Sequence, residues 1–91
     1  MEETQIQWSD YMLYRVKERG YEAAKVEEII RHSAQRYTDT ESGRTVIVGR
    51  HDEVLVLIPI ETDGSTIIPI TVHATTRQQI RSRLQSGRFR V

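Results

Sequence analysis

The sequence predicts an α+β fold: an N-terminal helical pair packed on an antiparallel sheet of about four strands, followed by a short C-terminal helix. Three observations carry this. Up to Ala34 the apolar residues recur at helical spacing. From Arg36 the period falls to two, in runs rich in β-branched residues. After Ala74 a capped, helix-spaced segment returns. A chain of 91 residues is expected to form one domain of modest stability, frayed or extended over 1–5 and 88–91.

Ile6-Gln7-Trp8 alternates and is read as a short edge strand. Ser9 or Asp10 caps the first helix. Trp8, Met12 and Val16, with Leu13 beside them, form its apolar stripe, and Gly20 ends it. The second helix runs from about Glu22 to Ala34, with Ala23, Val26, Ile29, Ile30 and Ser33 inward. Strands are expected over Arg36–Asp39, Thr45–Arg50, Val54–Ile60 and Thr66–Ala74, with Arg50-His51 read as leading into a turn. Asp63-Gly64 is a hairpin signal. As a two-residue loop it pairs Leu55 with Val72 and Leu57 with Ile70. The Leu55, Leu57, Ile68, Ile70, Val72 face then meets the helices, with Pro59 at its end. His73 shares the more open face with Val54, Val56, Ile58 and Ile60. Pro59 and Pro69 require bulges or edge positions. In the last helix Thr76 and Gln79 make a capping box and Ile80 and Leu84 the apolar stripe. Arg77 and Arg81 lie on one side of that stripe and Arg83 on the other, and Gly87 is the terminator. Phe89 is expected to dock on the sheet or on a partner.

Thirteen basic and thirteen acidic residues cancel, but unevenly. Residues 1–30 carry seven acidic and four basic side chains, whereas residues 74–91 carry five arginines and nothing acidic. A basic tail binds phosphate or pairs with acidic residues of its own or a neighbouring chain. There are no cysteines, which excludes disulfides, thiolate metal sites and Cys nucleophiles. No apolar run approaches a membrane span and no signal-peptide pattern opens the chain, so a cytoplasmic protein without membrane association is expected. No nucleotide loop, metal-ligand spacing or serine elbow is present, and no cofactor or metal is expected.

The residues with chemistry to offer gather near the C-terminus. Arg77 and Arg81 are one turn apart near a helix N-terminus, where free N–H groups and the dipole attract phosphate. His73 precedes them and titrates near ~6.5 when unperturbed. His73 as acid or base, with Arg77 and Arg81 on transition-state charge, makes a candidate phosphodiester site. Thr71, Thr75 and Thr76 add hydroxyls, and Arg50, Arg83 and Arg88 are further candidates for holding RNA or phosphate. The same residues also make an ordinary capped helix with a solvated face. Arg15 and Arg19 form a second i,i+4 basic strip, for which salt bridges to Glu18, Glu22 or Asp39 are an equal explanation.

Trp8-Ser9, Arg15, Arg19-Gly20, Val26-Glu27, Val46-Ile47-Val48-Gly49-Arg50, Leu55-Val56-Leu57-Ile58-Pro59 and Ile70-Thr71-Val72-His73-Ala74, in that order, resemble domain-of-unknown-function family 4258. These are small bacterial proteins grouped with the BrnT-like and RelE/ParE-type toxins. The resemblance implies a RelE/ParE-like fold and a metal-independent endoribonuclease toxin, acting free or on the ribosome and held by an antitoxin. It assigns catalysis to His73, Arg77 and Arg81, with Arg50 as a weaker member. The alternative is a non-catalytic module of the same fold that grips a protein or nucleic acid through its basic C-terminal segment. A homodimer joining acidic front to basic tail is the third reading.

Overall fold

The computed structural model describes residues 4–91, so the start of the expected N-terminal fray, residues 1–3, lies outside the described residues. The order is β1 (Gln5–Ile6), α1 (Asp10–Glu18), α2 (Ala23–His32), β2 (Gln35–Asp39), β3 (Thr45–His51), β4 (Val54–Asp63), β5 (Thr66–Pro69), β6 (His73–Ala74), α3 (Arg77–Gln85) and β7 (Phe89–Arg90). The α+β class and the short last helix are as expected. Among the described residues the sheet has seven strands rather than about four: the expected edge strand pairs over Gln5–Ile6, the expected Thr66–Ala74 strand divides into β5 and β6, and β7 is added. Its path is β1-β5-β4-β3-β2-β7, with β6 also on β4. All pairings are antiparallel except β1 with β5.

Local chemistry explains the helix ends. Ser9 Oγ accepts from Met12 N at 3.0 Å and caps α1. Thr76 Oγ1 accepts from Gln79 N at 3.1 Å and caps α3. Only this half of the capping box forms, since Gln79 Oε1 accepts from the Thr75 hydroxyl instead. Glu22 at the start of α2 has no side-chain cap of its own. Its N–H donates to His51 Nε2 at 2.8 Å, and that buried ring meets Tyr21 edge-on. His51 is therefore the last residue of β3 and a brace for the helical pair, not a turn residue.

The helices cover the opposite sheet face from the one expected. Met12 and Val16 of α1 and Val26, Ile29 and Ile30 of α2 pack on Ile47, Val56, Ile58, Ile60 and Val72. Leu13, read into that stripe, is 43% exposed. The other face gathers Val46, Val48, Leu55 and Leu57 under Ile80 of α3 and Phe89 of β7. Leu55-Val56-Leu57-Ile58 is thus buried on both sides, and alternation cannot tell its faces apart.

The register also differs. Asp63 pairs with Thr66 and Ile60 with Pro69, so the loop is Gly64-Ser65, with Gly64 at φ +61 in the first loop position. Beyond Pro69 the pairing shifts by one more residue, and Leu57 faces His73. That extra residue is a bulge over Ile70–Val72. It separates Val72, under the helical pair, from His73, which moves to the α3 face. Both prolines fit this break. Pro69 ends β5, and Pro59 accepts from Ile70 N at 2.9 Å on the side where β5 gives way to β6.

Of the two expectations for residues 88–91 the extended one holds, and Phe89 docks on the sheet. Phe89 pairs with Asp39, is 2% exposed, and stacks on Tyr37 at 5.9 Å. Arg88 donates to both oxygens of Asp39, at 2.8 and 3.2 Å, and lies 3.1 Å from Glu41. The Arg88 guanidinium holds the Asp39 carboxyl below the usual carboxylate range, although burial opposes this. That contribution to stability is present above the unfolded pKa of ~4 and is lost as pH falls through the lower folded value. Asp39→Asn is expected to lower Tm by several degrees near neutral pH, with the gap to wild type shrinking by about pH 3. Thermal unfolding at both pH values checks this. A gap that persists in acid would show that the loss does not come from the Arg88–Asp39 ion pair.

Candidate functional site

The bulge turns His73 into a cleft of about 330 Å³ lined by Leu57, His73, Ala74, Thr75, Gln79 and Arg83. Its floor is β6 on β4, and α3 forms one wall. From the other side Arg19, just past the end of α1, reaches around the sheet edge, and its Nη1 lies 3.3 Å from His73 Nδ1. Arginine is donor-only, so Nδ1 accepts and the neutral ring carries its proton on Nε2. Partial burial, then the charges of Arg19, Arg15 and Arg83, push the His73 pKa below its ordinary value. The ring thus meets Arg19 directly and shares its cleft with Arg83.

Of the residues expected to act with His73, Thr75 and Arg83 line the same cleft. Arg77 and Arg81 do not. Gln35, Val48, Leu57 and His73 are successive partners across β2, β3, β4 and β6. Arg77 donates to Gln35 Oε1 at 2.5 Å, at the far end of this row. Three strand spacings, roughly 14 Å, separate the two ends. The helical wheel is as expected, with Arg77 and Arg81 on one side of Ile80 and Arg83 on the other. It is the Arg83 side that faces His73.

The remaining candidates divide in the same way. Thr76 is occupied as the α3 cap. Arg88 is neutralised by Asp39 and Glu41. Arg50 donates to the Glu53 carbonyl at 3.3 Å and lines a different cleft, with Lys25, Glu28 and His32. Thr71 is buried outside the cleft, and its hydroxyl has no hydrogen-bond partner among the described residues.

The residue that sequence reasoning left out of the site is Arg19, 54 positions from His73. The signal was the Arg15, Arg19 strip, which local ion pairing explains only in part. Arg15 does pair with Glu18 at 2.8 Å, but Arg19 turns to the histidine. Among the described residues no group of three His, Asp or Glu side chains is placed to hold a metal ion, and no helix is long and apolar enough to cross a membrane. No family model, curated protein or solved structure matches the chain.

Proposed function

We propose that the protein is a metal-independent endoribonuclease of the toxin type, with its active site in the His73 cleft. The observation that carries this is an imidazole that accepts from one arginine and shares a cleft with a second. An imidazole below its ordinary pKa is available as a base at neutral pH. Two guanidiniums match the geometry and charge of a phosphodiester.

In the free protein Arg19 occupies the lone pair on Nδ1. A phosphate is the stronger partner for a guanidinium, so substrate draws Arg19 away and uncovers the base. His73 Nδ1 then takes the proton of the ribose 2′-hydroxyl. The 2′-oxygen bonds to phosphorus, the bond from phosphorus to the 5′-oxygen breaks, and the leaving oxygen takes a proton from water. Arg19 and Arg83 stabilise the added negative charge on the phosphoryl oxygens. The products are a 2′,3′-cyclic phosphate and a 5′-hydroxyl. The resemblance to toxin-related proteins adds an antitoxin covering the cleft as the expected partner, and free or ribosome-bound RNA as the substrate.

Incubation with single-stranded RNA in excess chelator tests this. Cleavage to cyclic-phosphate ends is expected, with DNA and 2′-O-methyl RNA of the same sequence left intact. A folded protein that cuts no RNA with or without ribosomes, or that cuts only with added metal, sinks the proposal.

A further inference from the structure

Two aromatic rings on α1 have no role in either core. Tyr11 is 53% and Tyr14 is 60% exposed, and neither belongs to the apolar clusters on the two sheet faces. Both are nevertheless held in place. The Arg15 guanidinium lies over the Tyr11 ring at 5.5 Å. The Tyr14 hydroxyl donates to Glu18 at 2.8 Å, and the other oxygen of Glu18 accepts from Arg15 at 2.8 Å. Tyr11, Arg15 and Arg19 are successive i,i+4 positions, so one slowly drifting line along α1 runs from an exposed ring to the guanidinium on His73. That line spans eight residues, about 12 Å at helical rise.

Resting on the endoribonuclease reading, we infer that α1 is the base-binding element of the cleft: Tyr11 and Tyr14 stack bases of single-stranded RNA flanking the phosphate held at Arg19, His73 and Arg83. Stacking is sequence-tolerant and needs only an exposed, pre-oriented π-face beside a cationic track. The charges assign the two parts of the strand. Glu18 accepts from both the Tyr14 hydroxyl and Arg15 and offsets the Arg15 charge, so the backbone phosphate goes to Arg19 while the bases lie over the tyrosines. A ring already carrying a planar guanidinium on one face is oriented for a planar base.

The probe is a fluorescein-labelled 2′-O-methyl hexa-adenylate, which cannot be cleaved, compared with an abasic strand of the same length by anisotropy. Wild type is expected to prefer the base-bearing strand by about 5- to 100-fold per stacked base. Tyr11→Ala/Tyr14→Ala removes that preference, and Tyr11→Phe/Tyr14→Phe retains it. Equal affinity of wild type for both strands, or an alanine variant that keeps the preference, overturns the inference. So does an alanine variant with unchanged oligonucleotide affinity that has lost a self-association seen by sedimentation, since α1 would then face protein. Base-dependent binding without any cleavage would sink the catalytic reading and leave this one standing.

Discussion

His73→Ala is expected to lower RNA cleavage by about 10²- to 10⁴-fold, the usual contribution of a positioned acid-base group. The pH profile identifies the group. The base must be neutral to act, so the wild-type rate rises as pH climbs through the His73 pKa and is flat above it. Burial and the neighbouring arginines hold that pKa down, so the acid limb lies below the ordinary imidazole value of ~6.5. Arg19→Ala removes the nearest of those charges. The limb should move toward higher pH while the plateau falls, because the same guanidinium stabilises the transition state. Arg19→Lys keeps the charge and loses the fork, so its limb should stay near wild type with a lowered plateau. Arg83→Ala should cost more than Arg77→Ala, which loses only the contact with Gln35. A limb that does not move in Arg19→Ala would show that the Arg19 charge does not act on the titrating base. The same ring affects stability in the same direction. The unfolded chain binds its proton more readily, so stability is full above the unfolded value and falls as pH drops through the lower folded one.

The helical pair was legible because each helix carries its own signals. Met12 and Val16, then Val26 and Ile30, are spaced to one side, Ser9 caps the first, and Gly20 sits at φ +76 just past it. The hairpin of β4 and β5 was legible from Asp63-Gly64 to within one position of its loop. Its faces were not. A strand buried on both sides has no polar alternation to orient it, and a single extra residue after Pro69 carries His73 to the other face. Which arginine shares the cleft with His73 was not legible for a related reason. Whether Arg77 or Arg83 meets His73 depends on which edge of α3 overlooks the strand end, a property of the packed helix and not of its wheel. Arg19 belongs to an element whose distance from His73 in sequence hides their contact. The pairing of β1 with β5 is equally non-local.

Gly49→Val is expected to destabilise the fold although valine is the better strand former. Intrinsic strand preference favours valine by up to ~1 kcal/mol. Gly49 lies on the α2 face of β3, however, and a Cβ built there meets Ile29 Cγ2 at 2.6 Å, Cγ1 at 3.1 Å and Cβ at 3.3 Å. The 2.6 Å approach is a clash, and rotating the branched Ile29 side chain still leaves its Cβ tight at 3.3 Å, so α2 has to give by a few tenths of an ångström. Overpacking of this kind costs about 1–3 kcal/mol for one methyl and more for a branched side chain. The steric term exceeds the strand term, so Gly49→Ala should lower stability by about 1–3 kcal/mol and Gly49→Val by at least as much. For a chain of this size each kcal/mol corresponds to roughly 4–8 °C in Tm. The displacement also strains the bond from Glu22 N to His51, two residues along β3, and with it the α1–α2 turn that carries Arg19. Ile29→Ala alone should cost about 2–5 kcal/mol by leaving a cavity. Combined with Gly49→Val it should cost less than the sum of the two changes, with a coupling of about 0.5–3 kcal/mol, because the new side chain enters the space vacated. Strict additivity, or a Gly49→Ala variant as stable as wild type, would mean that α2 is not held against β3 by this close approach.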